Sequence, residues 1–240
     1  MKNPSWQRDE LILALNLYFT IDYNQLSSKH PEIVKLSILI NKLPIFSPEQ
    51  RTHTFRNSQG VYMKLGNFVS IDPNDTRRGL PGFGKLDKEV FFEFFNKKDE
   101  LLSIATTIIN SINNEKLIGQ INDYQKLIDH DFTVREGKVM YGLHSFRERN
   151  SAIIKKKKEY VFKKENKLQC EVCEFDFVKA YGELGVGFIE CHHIKPLSSL
   201  QEESITAVED LALVCANCHR MLHRDLSLTI EELRMRMNVK

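Results

Sequence analysis

Apolar residues recur at helical spacing through much of the first half of the chain. Leu11, Leu15 and Phe19, with Ile12 beside them, mark one face of a helix over Asp9–Thr20; Val34, Leu36, Leu39 and Ile40 mark another over Pro31–Leu43, which Pro44 ends. Asn57-Ser-Gln-Gly60 punctuates the pattern, and the pieces behind it, Val61–Leu65 and Asn67–Ile71, suit short extended or helical segments equally. Residues 72–84, rich in Asp, Asn, Gly and Pro, read as a turn-rich loop. From Asp87 the helical pattern returns in Val90, Phe91, Phe94 and Phe95, then in Leu101, Leu102, Ala105 and Ile109; Glu115–His130 predicts one more helix and Thr133–Gly142 a strand or hairpin. Phenylalanines at this spacing predict core rather than a platform for stacking bases. The chain has no internal repeat.

The periodicity changes towards the carboxy terminus. Gly187–Ile194 carries strand-forming residues and stops at Pro196, Asp210–Cys215 is a second short apolar run, and polar residues 198–204 between them suit a loop, so two antiparallel strands are expected. After Cys215 the spacing turns helical. His219 and His223 stand four apart, which puts them one turn apart on the same face, while Cys218 points elsewhere. Together the elements predict an α+β chain with its helices concentrated in the amino-terminal part.

The chemistry is concentrated here too. Cys170-x-x-Cys173 and Cys215-x-x-Cys218 are two tight pairs that can close a tetrahedral zinc site with four thiolates. An ordinary zinc ribbon leaves about 15–20 residues between such pairs. The gap here is roughly twice that and leaves room for a hairpin with chemistry of its own. That hairpin carries His192-His193, which the helix pair His219 and His223 would face, so the stretch encodes one site closed by sulfur and one open site lined with imidazole. Cys191 then reads as a small packed residue of the hairpin, since four thiolates already fill a tetrahedron. Glu190 suits either a partner for an imidazole or a surface carboxylate.

Composition sets the frame. The 240 residues carry a net charge of +2 and 42% hydrophobic residues, the profile of an ordinary globular protein with length for one large or two small domains. No run of about 18 apolar residues appears. The opening Met1-Lys-Asn-Pro-Ser-Trp lacks the apolar core of a signal peptide, and the cysteines are spaced for metal rather than disulfides, so a cytoplasmic location without membrane partners is expected. Net charge alone would not suggest nucleic acid, but its distribution does. Arg147, Arg149, Lys155, Lys156, Lys157, Lys158, Lys163, Lys164 and Lys167 outweigh Glu148, Glu159 and Glu165 over residues 144–167, just before the cysteines. Such a run contacts phosphates or is simply a solvated helix face. Arg77 and Arg78 in the turn-rich loop, and Arg220 and Arg224 on the last-named helix, are further candidates for DNA contact.

Cys-x-x-Cys, Glu-Cys-His-His-Ile-x-Pro-Leu and Asp-Leu-x-Leu-Val-Cys-x-Asn-Cys-His-x-x-x-His resemble the HNH endonucleases of the ββα-metal type, and more narrowly the restriction-associated branch with the McrA-type enzymes that cut modified DNA. The likeness is clear over Arg147–Arg224. Trp6-x-x-Asp-Glu-Leu and Phe55-Arg-Asn-x-x-Gly-Val-Tyr-Met-Lys also resemble the amino-terminal region of other predicted HNH restriction proteins. The resemblance implies that His193 is the general base, that His192, His219 and His223 hold the catalytic ion, and that Cys170, Cys173, Cys215 and Cys218 hold structural zinc. Where the family's middle Asn usually stands, this chain has Asp210; Asn217 comes later, inside the second cysteine pair, and both are candidates for that role.

The expectation is therefore a mainly helical amino-terminal domain over 1–135 that engages DNA or a partner, followed over 136–240 by a zinc-stapled ββα-metal nuclease domain with the basic lead-in 144–167. It would hydrolyse phosphodiesters of double-stranded DNA, leaving by resemblance 5′-phosphate and 3′-hydroxyl ends. Its cofactors would be structural Zn2+ and a catalytic divalent cation: Mg2+, Mn2+, Ni2+ or Co2+. Three imidazoles are softer than the oxygens magnesium prefers, which favours manganese, nickel or cobalt. Restriction of foreign DNA, with modified cytosine as first target, is the role the resemblance suggests. A double-strand cut needs two sites or two visits, which makes a homodimer attractive. The rivals are a zinc-dependent DNA-binding module without catalysis, a homing or phage HNH nuclease, and a thiol-disulfide protein; the last lacks the βαβ pattern it would need.

Overall fold

The computed structural model describes residues 2–21, 27–113, 137, 139, 142, 151–194, 207–224 and 228–237. The chain divides into two compact units, Met1–Asp129 with Gly137–Met140, and His130–Glu136 with Tyr141–Lys240. Among the described residues it is mostly helical, with one small two-stranded sheet. No described helix is long and apolar enough to cross a membrane.

The first unit is built around α1 (Arg8–Thr20), which touches α2 (Pro31–Asn41), α3 (Ser58–Ile71), α4 (Lys85–Phe94) and α5 (Lys98–Asn113). Its sequence explains the central place: every residue from Asp9 to Leu15 is buried, so the helix is enclosed rather than lying with one wet face. Phe68, Phe91 and Phe94 are fully buried against it, as expected of core residues. The segment 57–71 differs from the expectation of separate pieces. Asn57 accepts a hydrogen bond from the Gly60 N–H and so caps a single continuous helix, α3, with Gly60 in its first turn.

Two buried ion pairs fasten this unit. Arg56 donates to both carboxylate oxygens of Glu10, at 2.7 and 2.9 Å, and to the carbonyls of Pro4 and Ser5. Its guanidinium also lies over Trp6 and Phe55, at 4.5 and 4.6 Å from the ring centroids. Lys64 reaches Asp87 at 2.7 Å from beneath the same indole. The two amino-terminal motifs thus form one cluster, with Trp6 and Glu10 from the first and Phe55, Arg56 and Lys64 from the second.

In the second unit α6 (Ser151–Glu165) precedes the first cysteine pair, and a short α7 (Phe177–Tyr181) follows it. Strand β1 (Glu190–His193) then pairs antiparallel with β2 (Leu211–Val214), and α8 (Ala216–Arg224) and α9 (Ile230–Arg236) complete the unit. The expected hairpin is present with strands shorter than the apolar runs. Residues opposite one another in the register share a face, His192 with Ala212 and Cys191 with Leu213. All of β2 is buried because both its faces are covered. Ala212 and Val214 pack among the cysteines with Leu222 and Leu233, whereas Leu213 packs with Cys191, Ile189 and the inner stripe of α6, Ile154 and Val161. Asn166 in a left-handed conformation, φ 53°, stops α6.

Of the stretch expected as strand or hairpin at 133–142, Val139 and Gly142 are helical instead. The Val139 N–H donates to buried Asp9 at 3.1 Å, so this short turn answers a carboxylate that the sequence pattern left unassigned. The expected helix over 115–130 and the loop over 198–204 lie outside the described residues.

Breaking a buried ion pair strands the remaining charge, at a cost of about 3–5 kcal/mol. Arg56→Ala or Glu10→Ala should therefore lower the stability of the first unit by that amount in urea unfolding. Substitution of the exposed pair Lys35 and Glu32 should change it by less than about 1 kcal/mol.

Candidate active site and metal centre

The sulfur cluster forms where the first knuckle meets the end of β2 and the start of α8. The knuckle closes through the Cys170 N–H to the Phe175 carbonyl at 2.9 Å and the Glu174 N–H to the Cys170 carbonyl at 2.8 Å, with Glu174 left-handed at φ 61°. Cys170, Cys173, Cys215 and Cys218 bring their sulfurs within 4.8 Å of one another. Cys173 and Cys215 stand 3.8 Å apart, and two thiolates on one tetrahedral zinc at about 2.3 Å would lie about 3.8 Å apart.

The acidities fit a cation there. Burial pushes the Cys170 thiol up, but backbone N–H groups of Cys173, Cys215 and Val172 outweigh it and leave that thiol below its ordinary value. Burial pushes Cys173 up to about 11, and raises Cys218 as well. Burial thus resists ionisation of Cys173 and Cys218, and a divalent cation is what would let the cluster ionise together.

The imidazole cluster lies on the other part of the same hairpin. His192, His219 and His223 each bring a ring nitrogen within 4.8 Å of the others. The Nε2 atoms of His219 and His223 are 3.1 Å apart, inside the range of about 3.0–3.4 Å for two imidazoles sharing one ion with bonds of about 2.1 Å. Glu190 settles its own open question. Its Oε2 sits 2.6 Å from His219 Nδ1, which turns the Nε2 of that ring towards the cluster. Alternation along β1 places Glu190 and His192 together on one face and Cys191 and His193 on the other. His193 is buried and stays outside the three-nitrogen cluster, so the two adjacent histidines have different surroundings.

Asp210 and Asn217 separate equally clearly. The Asp210 carbonyl accepts the Ile194 N–H at 2.8 Å and its carboxylate accepts the Ala207 N–H at 3.0 Å, so it braces the mouth of the hairpin. Asn217 is exposed in the first turn of α8, two residues from His219 and hence across the helix from it.

The basic candidates sort by what they already touch. Lys155 and Lys156 are exposed on α6, as are Lys163, Lys164 and Lys167 around it. Lys157 is buried instead, 3.8 Å from Glu171, whose carboxylate also accepts the Leu213 N–H; it ties α6 to the sheet. Lys158 donates to the Gly187 carbonyl at 2.8 Å. Arg220 and Arg224 are exposed on α8. Arg77 is engaged with Asp75 and holds that carboxyl down at about 2, while Arg78 is exposed beside it. Arg147 and Arg149 lie outside the described residues.

Two outcomes test these sites. Stripping metal with a chelator, or Cys218→Ser, should abolish the calorimetric transition of the second unit and leave that of the first, because only the second places a four-sulfur cluster in its core. Glu190→Ala should weaken divalent-ion binding at the imidazoles by about 10–100-fold in titration calorimetry, with Glu190→Gln falling between, since the amide oxygen still accepts the ring N–H.

No curated protein and no solved structure matches the chain. Residues 170–225 do match a family model, that of the HNH endonuclease, and the match spans both cysteine pairs, the hairpin and α8. The sulfur cluster, the imidazole cluster and the base candidate therefore all lie within the stretch that matches the HNH endonuclease domain.

Proposed function

We propose that the chain is a metal-dependent DNA endonuclease that restricts foreign DNA. The observation that carries this reading is the division of labour on β1: His192 joins His219 and His223, while adjacent His193 stays out of that set. A binding module would need a folded zinc site but no second cluster of imidazoles.

Hydrolysis of a phosphodiester needs an activated water, charge stabilisation at phosphorus and help for the leaving oxygen. His193 takes the proton from the attacking water, and its place outside the ligand set keeps its ring for that purpose. His192, His219 and His223 would hold the divalent ion, which supplies the positive charge for the phosphate and the leaving group. Glu190 fixes the tautomer of His219 through Nδ1. Asp210 fills the bracing role of the motif Asn, because it is the one of the two candidates that bonds to the hairpin. The four cysteines hold zinc as a staple and take no part in the chemistry.

Double-stranded DNA is engaged by the exposed face of α6 through Lys155 and Lys156, with Arg220, Arg224 and Arg78 as further contacts and Arg147 and Arg149 in the lead-in. The amino-terminal domain, 1–135, reads the DNA or a partner. The substrate within this reading is DNA with modified cytosine, following the likeness to the McrA-type branch, and two copies acting together would cut both strands.

Methylated, hydroxymethylated and unmodified plasmid should distinguish the possibilities. Wild type should cut with manganese, nickel or cobalt at least as well as with magnesium, and His193→Ala should lose at least about a thousandfold in rate while retaining its zinc. Zinc-loaded wild type that cuts no plasmid with any of these ions would point to the binding module, and strict magnesium dependence would argue against the three-imidazole ligand set.

A further inference from the structure

The roles given to the cysteines and histidines leave Glu171, between Cys170 and Cys173, without a task. Its partners nevertheless come from three other elements. Its backbone N–H donates to the Leu213 carbonyl at 2.7 Å, and its Oε1 accepts the Leu213 N–H at 2.7 Å. Buried Lys157 of α6 stands 3.8 Å from the same oxygen, and Arg234 of α9 donates to the Glu171 carbonyl.

The pair of bonds to Leu213 completes an edge that the sheet leaves open. Along an antiparallel strand the backbone groups of successive residues point to alternate sides, so those of Leu213 point away from β1 while those of Ala212 and Val214 point towards it. The bond from the Ile194 N–H to the Asp210 carbonyl follows the same alternation. Leu213 is fully buried, and a buried N–H or C=O left without a partner is destabilising. Glu171 answers both groups, the N–H with its side chain and the carbonyl with its backbone. β2 is thereby held on both edges, although the sheet has only two strands.

β2 carries none of the imidazoles, yet each of them is placed through it. His192 and Glu190 lie opposite Ala212 and Val214, where the two strands exchange hydrogen bonds. At its far end β2 runs into Cys215, whose carbonyl accepts the His219 N–H at 2.9 Å and so starts the helix that bears His219 and His223. The other face of the hairpin is tied to the same carboxylate. Lys157 fastens α6, whose Ile154 and Val161 pack with Cys191 and Leu213 on the side to which His193 belongs.

We propose that Glu171 is a positioning residue for the metal-dependent reaction: it sets β2 from its outer edge, and through β2 the placing of His192 against His219 and His223. This inference rests on the nuclease reading above. The two interactions of the carboxylate are separable. The bond to Leu213 needs only an oxygen that accepts, whereas Lys157 needs a negative charge because its ammonium is buried.

That separation supplies the test. Full-length, zinc-loaded proteins are compared by calorimetric titration with Mn2+, by NMR hydrogen exchange of the Leu213 amide without Mn2+, and by kcat and KM on plasmid. Glu171→Ala should keep its zinc, exchange the Leu213 amide about tenfold faster or more, and bind Mn2+ about three- to thirtyfold more weakly. Its kcat should fall with little change in KM. Glu171→Gln keeps the acceptor but strands the Lys157 charge, so it should be intermediate. Adding Lys157→Met to Glu171→Gln should return Mn2+ affinity to within about twofold of wild type, whereas adding it to Glu171→Ala should rescue nothing. Unchanged Mn2+ affinity in Glu171→Ala, or equal affinities in the two double variants, overturns the proposal. Loss of zinc from Glu171→Ala overturns it too, since Glu171 would then serve the staple alone. If the Mn2+ affinities follow the expected order but wild type cuts no plasmid, Glu171 positions the ion site and the nuclease reading falls. Zinc-loaded wild type that binds no Mn2+ overturns both.

Discussion

Four sulfur atoms within 4.8 Å of one another are the constraint on which the second unit depends. They come from a knuckle, a strand end and a helix start, and they form a core with Val172, Ala212, Val214, Leu222, Leu228 and Leu233. Burial opposes ionisation of the gathered thiols, holding the pKa of Cys173 and of Cys218 above the ordinary value, and repulsion from the neighbouring sulfurs adds to it. A divalent cation among them would turn that opposition into attraction. Once the knuckle and the start of α8 are pinned together, the direction of α8 is set, and with it the positions of His219 and His223 opposite β1.

The first unit solves the same problem by other means. It has enough apolar surface for a real core, and the Arg56–Glu10 and Lys64–Asp87 pairs are buried within it beside Trp6. The charges are desolvated, so neither pair adds much net stability. Arg56–Glu10 joins the start of α1 to the turn before α3, and Lys64–Asp87 joins α3 to α4.

Periodicity disclosed the helices that have one wet face, such as α2 and α4, and spacing disclosed the sulfur and imidazole clusters, because Cys-x-x-Cys and His-x-x-x-His are local patterns. Contacts between distant residues were harder. Nothing in the spacing of Glu10 and Arg56 indicates that they meet, since the pairing crosses 46 positions. Glu190 stayed ambiguous for the same reason: its partner His219 lies on another element. Asn57 misled because a cap and a turn use the same residue types, and only the helix behind it tells them apart. The lysine run concealed Lys157, whose burial follows from the inner stripe of α6 that includes Ile154 and Val161.

The alternation along β1 has a consequence for how such a domain can vary. Adjacent histidines on opposite faces mean that a slip of one residue would exchange their environments, sending His192 to the α6 side and His193 to the imidazole side. The knuckle before this strand and the pairing with β2 are both fixed, so a length change in the connection 174–189 is taken up within it and the register is kept. Composition is the tighter limit there: Gly185, where a Cβ would collide with the Phe177 carbonyl, and Gly182 and Gly187 at positive φ should stay glycine among descendants of this chain while the exposed positions between them vary.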